Sequence, residues 1–342
     1  MSLPPPPCCP PSSLPALSAP AGARSGTTII IEGLDGADFL DLYIVGALDT
    51  VNPATKAVII YSDVYGEKSG NHRRFTDQLQ SSLGPEYVVV LPDFFRGAPA
   101  LNPIKFLPEQ VANVLGAPGM IFRLKFTYTF DPVIKRDSSD TVVPWLKSKG
   151  ITEFACVGFC YGGWCIGRSL ALPEKPFSCG VGIHPSFNVE LLHGGTEEQL
   201  AEAIGSTPIL LLPAGNDRDT LKPGGECVRM LAGARGVNEE DVSVCFDDMI
   251  HGWVTRGDDS KSQGVANAQK DALKRCSDFI LQNIGTKSNK KGAGLTLDTS
   301  HDSETMEFPN SPVPPQSPST PLNHTTHGMI DDDDVMIPAE IN

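Results

Sequence analysis

Six short apolar runs punctuate the middle of this chain: Ala57–Tyr61, Tyr87–Leu91, Phe154–Gly158, Ser178–Ile183, Pro208–Leu212 and Val242–Phe246. Each is five or six residues long, too short for a typical helix and too continuously apolar for a strand with one wet face. Helical patterns separate them, near 70–83, 134–149, 161–171, 222–233 and 262–283. Short apolar strands alternating with helices predict the α/β class, with a mainly parallel, doubly wound sheet covered on both faces. An opening antiparallel pair is expected at Thr28–Glu32 and Leu40–Val45, around Asp35-Gly36. Together these make one domain over residues 27–285.

The flanks read differently. Residues 1–26 are rich in Pro, Ser and Ala and form an irregular arm. Residues 286–342 hold Ser-Pro at 311–312 and 317–318, Thr-Pro at 320–321 and the acidic run Asp331 to Asp334. Such a composition buries too little apolar area to offset chain entropy, so a disordered tail is expected, open to a protein partner or to phosphorylation. The net charge of −14 argues against nucleic acid or an anionic membrane as partner. No run reaches the roughly 18 apolar residues of a membrane span, and no secretory signal is visible, so a cytoplasmic location is expected. The nine cysteines are an odd number, and seven lie in or beside apolar segments. They read as reduced thiols rather than a disulfide framework.

In a doubly wound sheet the site forms at the carboxyl ends of the strands. One such end reads Gly158-Phe159-Cys160-Tyr161-Gly162-Gly163, between a strand and a helix pattern. This is G-x-C-x-G, the nucleophile-elbow pattern with Cys in the place of Ser. A thiol at a helix start gains from backbone amides and the helix dipole, which favour the thiolate. Chance alone yields about one such pattern in ten chains of this size, so its place between strand and helix carries most of the weight. Cys156, within the strand, and Cys165, within the helix, read as core. A redox role for the three is disfavoured, because none of their spacings is C-x-x-C.

The base is sought among seven histidines. His251 lies late in the domain, after the last apolar run, and fits the chain order nucleophile, acid, histidine. His184 follows a strand directly but precedes every acid candidate. The acid is expected after Ile209–Leu212, in Ala214-Gly215-Asn216-Asp217-Arg218-Asp219. Asp217 is the first choice and Asp219 the alternative. Asp247 and Asp248 lie close to His251 in sequence. The sequence shows no P-loop, no G-x-G-x-x-G, no metal constellation and no cofactor motif.

Four segments, in order, resemble the dienelactone hydrolase family over about residues 8–284: Ser62-Asp63-Val64-Tyr65-Gly66, Leu91-Pro92-Asp93-Phe94-Phe95-Arg96-Gly97, the Cys160 segment, and His251-Gly252-Trp253 with Arg256. Cys8-Cys9-Pro10 is similar to the N-terminus of eukaryotic members. The resemblance implies the α/β-hydrolase fold and cleavage of small esters or enol-lactones. The Cys160 thiolate would attack the carbonyl, with an oxyanion hole in the backbone amides of Tyr161 and Val64 and His251 activating water. It also implies a thiol-modulating carboxylate at Asp63, substrate-carboxylate binding at Arg256 or Arg96, and pocket walls from Tyr65, Phe94 and Trp253. A thioesterase or general carboxylesterase on the same site, and a non-catalytic binding module using the acidic tail, are the alternatives.

Overall fold

The opening pair and five of the six apolar runs become strands: β1 Thr27–Glu32, β2 Phe39–Val45, β3 Lys56–Tyr61, β4 Tyr87–Pro92, β5 Glu153–Phe159, β6 Cys179–Ile183 and β7 Ile209–Leu212. The computed structural model describes residues 8–285 apart from residues 11, 16, 20–23, 35, 37, 49–52 and 98–122, so the expected tail at 286–342 lies outside the described residues. Among the described residues the strands pair in the order β1-β2-β4-β3-β5-β6-β7. The opening β1–β2 pair is antiparallel, as expected, and β2 is also antiparallel to β4. Every pair from β4 to β7 is parallel.

Residue parity assigns each side chain to a face, because successive Cβ atoms alternate along a strand. Ala57, Ile59, Tyr61, Val88, Val90, Phe154 and Cys156 join one buried apolar cluster. Val58, Ile60, Val89, Leu91, Ala155, Val157 and Phe159 join the other. The helices that cover them are α1 His72–Leu83, α2 Val143–Ser148, α3 Tyr161–Leu170, α4 Glu197–Ile204, α5 Glu226–Arg235, α6 Trp253–Arg256 and α7 Gln263–Asn283. No helix among the described residues is long and apolar enough to cross a membrane.

The run Val242–Phe246 does not become a regular strand. It meets β7 and the turn after it through two isolated parallel bridges, Leu211 to Ser243 and Ala214 to Phe246. Pro213 lies between them. It accepts from the Phe246 N–H (2.8 Å) but has no N–H to donate in return, so the ladder cannot run through it. The helix expected over 134–149 is also divided. Wide π-helical turns over Phe130–Lys135 and Ser138–Val142 lead into the short α2. Ser138 and Thr141 hydroxyls take the carbonyls of Ile134 (2.6 Å) and Arg136 (2.8 Å), competing with the regular backbone bonds. Pro144 then begins a fresh register at the start of α2.

Helix α4 has no counterpart in the sequence reading. Its start is defined by a capping box, in which the Thr196 hydroxyl accepts from Gln199 N (3.2 Å) and the Gln199 side chain accepts from Thr196 N (3.0 Å). Thr196→Ala is expected to lower stability by about 1 kcal/mol, read as a small drop in thermal unfolding temperature with activity retained.

Candidate active site

Strand order determines where a crevice opens. The chain leaves β3 for β4 on one side, then returns to place β5 on the other side of β3. Loops at the carboxyl ends of β3 and β5 therefore diverge, which is the topological switch point where ligands bind in such sheets. Asp63 and Val64 follow β3 and Cys160 follows β5.

Cys160 occupies the tight turn between β5 and α3 with φ of 53°, a left-handed conformation that costs a non-glycine residue energy. The flanking glycines make the turn feasible. A Cβ on Gly158 would fall inside contact of the Gly162 carbonyl, and one on Gly162 would strike the Tyr61 and Ser62 carbonyls of the β3 loop. A Cβ on Gly163 would come within 2.6 Å of Pro185. The turn is further fastened by Cys160 N to Ile183 O (3.2 Å) and Ser186 N to Cys160 O (3.0 Å).

His251 and Asp217 meet after long separation in sequence. His251 Nδ1 lies 2.5 Å from Asp217 Oδ1. The other carboxylate oxygen accepts from Ala214 N (2.7 Å). Asn216, next to the acid, accepts from the His251 backbone N–H at 2.7 Å. His251 Nε2 is buried without a hydrogen-bond partner, so this nitrogen is left for another group in the site. Burial works against a charged ring, but the Asp217 carboxylate and the sulfurs of Cys9 and Cys160 outweigh it and hold the His251 pKa well above its ordinary value. Burial also pushes the Cys160 thiol up, yet the Cys8 hydrogen bond and the His251 charge leave it below the usual thiol value. His184 lies with its ring 4.9 Å from that of His251. Burial and the His251 charge hold its pKa well below that of a free histidine. Its two ring nitrogens are buried without partners.

The remaining residues singled out from the sequence fall into three settings. Asp63 is fully buried. One oxygen accepts from Tyr65 N (2.9 Å), while the other accepts from the Thr255 hydroxyl (3.0 Å) and lies 3.5 Å from Arg256 Nε. Arg256 also donates to Leu14 O at 2.6 Å and lies over the Tyr65 ring. Arg96 is held by Asp38 (2.7 Å) and Asp137 (2.8 Å), while Asp93 accepts from the N–H groups of Phe95 and Gly97 and closes that loop as an Asx turn. Val64, Phe94, Tyr161 and half-buried Tyr65 pack in the cluster that contains Cys160, whereas Trp253 packs on Phe246 in the cluster of the opposite face.

Other side chains in the site were not singled out beforehand. His72, first residue of α1, accepts the Asp63 N–H on Nε2 (3.1 Å) and bonds Ser69 O through Nδ1 (2.7 Å), a neutral ring bracing the β3 loop. Ser186 donates toward Cys160 Sγ at 3.6 Å. Cys9, from the irregular arm, brings its Sγ to 3.3 Å from that of Cys160. Asn216 and Thr255 could have been suspected, since they adjoin Asp217 and Arg256. His72 carries no local signal, and Cys9 carries none beyond the similarity of Cys8-Cys9-Pro10 to the family's eukaryotic members.

A mainly parallel sheet with a strained strand-turn-helix elbow at its switch point, and a later histidine–carboxylate pair, defines an α/β-hydrolase. The match of the dienelactone hydrolase family model to residues 44–284 then establishes that the chain belongs to that family. Among solved structures it is similar to the Pyrococcus horikoshii acylaminoacyl peptidase, with TM-score 0.50 and 14% identity over 80% of this chain and 44% of that one. The chain thus spans less than half the length of that peptidase. It is also similar to a bacterial brefeldin A esterase (TM-score 0.47, 16% identity, 78% of this chain and 81% of that one). An esterase from Pyrobaculum calidifontis is comparable (TM-score 0.45, 16% identity, 75% and 85%). No curated protein matches the chain.

Proposed function

We propose that the protein hydrolyses small esters or enol-lactones through an acyl-enzyme on Cys160, with His251 as the base and Asp217 as the group that orients it. The observation that carries this reading is the pairing of His251 Nδ1 with Asp217 at 2.5 Å while Nε2 stays unpartnered near a thiol on a strained elbow.

The thiolate of Cys160 forms a bond to the substrate carbonyl carbon, and the C=O electron pair moves to oxygen. That oxyanion faces the backbone N–H groups of Tyr161 and Val64. Collapse breaks the bond to the alcohol oxygen, which takes a proton from the His251 imidazolium. Neutral His251 then removes a proton from water as it attacks the thioester, and the Cys160 thiolate departs with the acid product. Asp217 keeps the Nδ1 proton in place throughout, so Nε2 is the nitrogen that exchanges protons. Asp63, tied to Thr255 and Arg256, holds the loop that carries Val64. A substrate carboxylate would be recognised by Arg256, whose Nη2 is buried without a partner, and its apolar part by Tyr65 and Phe94; Arg96, neutralised by Asp38 and Asp137, and Trp253, packed on the opposite face of the sheet, take no part in this pocket. A cavity of about 280 Å³, lined by Cys8, Cys9, Pro185, Ser186, Asn216 and Arg218, opens beside the site.

The reading is tested by mixing the full chain with p-nitrophenyl acetate, quenching in acid within the first turnovers and mapping the acyl group by peptide mass. One acetyl group is expected on the peptide containing Cys160, and none in Cys160→Ala. Acyl transfer to another residue, or equal turnover in Cys160→Ala, would overturn it.

A further inference from the structure

Cys160 is fully buried, and what covers it is sulfur. Cys8 Sγ lies 3.8 Å from Cys160 Sγ and 3.7 Å from Cys9 Sγ, and Cys9 Sγ lies 3.3 Å from Cys160 Sγ. All three are buried free thiols. With a metal–sulfur bond of about 2.3 Å, the sulfur–sulfur edge of a tetrahedral zinc site is about 3.8 Å. Two of the three separations match that edge, and the third lies half an ångström inside it. His251 Nε2, also buried and unpartnered, lies outside this compact trio.

We propose that Cys8, Cys9 and Cys160 form a binding site for a soft divalent cation of the zinc type, and that its occupation silences the enzyme by locking the N-terminal arm over Cys160. The donor set is three thiolates, the soft ligands that zinc sites use, with a fourth position left open. Binding exchanges thiol protons for metal–sulfur bonds and releases those protons to solvent. Three thiolates around a divalent ion leave one negative charge, and the buried Arg256 guanidinium lies within electrostatic reach of both Cys9 and Cys160. The arm is already aligned for closure. Leu14 N donates to His251 O (3.0 Å), Arg256 donates to Leu14 O (2.6 Å), and Asn216 donates to the Ser12 hydroxyl (2.8 Å). The residues that anchor the arm adjoin the residues that would do chemistry, so a metal tying Cys8 and Cys9 to Cys160 would close the site from above. The other trio of potential ligands among the described residues, Glu197, Glu198 and Cys227, holds a single thiol.

The test uses the full chain, reduced and stripped of metal, titrated with Co²⁺ and then Zn²⁺. One equivalent of Co²⁺ should give a thiolate-to-cobalt charge-transfer band that Zn²⁺ abolishes. Cys9→Ser and, separately, Cys8→Ser should weaken binding more than about 100-fold, since losing even an outer partner of a metal site costs about 10–100-fold. Zn²⁺ should suppress ester turnover in the wild type at concentrations that leave the Cys8→Ser/Cys9→Ser protein unaffected. Wild-type protein that yields no such band, or variants that bind as tightly as wild type, would overturn the proposal. The cobalt band does not depend on turnover. A chain that binds cobalt yet forms no acyl-enzyme refutes the proposed reaction alone, and one that acylates without binding cobalt refutes the metal site alone.

Discussion

Asp217→Asn is expected to leave a folded protein whose ester turnover falls by about four orders of magnitude, the scale seen when a triad histidine is held in the wrong tautomer. The reason lies in how the carboxylate is shared. One oxygen accepts from Ala214 N at 2.7 Å and the other lies 2.5 Å from His251 Nδ1. An amide has only one oxygen. The Ala214 N–H cannot turn away, because it is fixed in the backbone, so the Asn oxygen must answer it and the amide NH₂ must face His251. Nδ1 then becomes an acceptor and the ring proton moves to Nε2, where it can no longer take a proton from a thiol or from water. Steady-state hydrolysis of p-nitrophenyl acetate beside a thermal unfolding scan separates the two effects. A loss of less than tenfold in a fully folded variant would mean that Asp217 does not set the tautomer.

Gly158→Ala is expected to be among the most damaging single methyl groups in the domain. Its Cβ would strike the carbonyl of Gly162 and the amide of Gly163, both backbone atoms of the elbow, so no side-chain rotation relieves the clash. Either the elbow opens or β5 shifts against β3, with which it pairs from Lys56–Glu153 to Tyr61–Gly158. Steric changes of this kind fall at the large end of point-mutant effects, more than about 4 kcal/mol. That is a major part of the roughly 5–15 kcal/mol by which domains are stable. The expected result is little soluble protein, with a collapsed denaturation midpoint in what is recovered. Wild-type stability in Gly158→Ala would show that the turn is far more pliant than its packing indicates.

Much of this fold follows from local patterns. Apolar runs of five or six residues can be buried on both faces only in a covered parallel sheet, and β3 through β7 are found where those runs lie. The elbow is legible for the same reason: Gly158, Gly162 and Gly163 each face a backbone or proline atom that excludes a Cβ, so the constraint is written at the position itself. Pairings between distant segments are not written that way. Val242–Phe246 has the composition of a strand, but whether it forms a ladder depends on Pro213, its neighbour only in space. His72 reads as a polar residue at a helix start until the β3 loop folds against it and hands it the Asp63 N–H. The arm is the sharpest case. Nothing in Cys8-Cys9-Pro10 specifies a partner, and Cys160 lies 151 residues beyond Cys9 in the chain. The sequence by itself determined the layered α/β architecture, the strained turn and the identity of its thiol, because those depend on near neighbours. Only the tertiary structure decided that three sulfurs share one buried space, because long-range proximity is set by how the whole sheet closes its crevice.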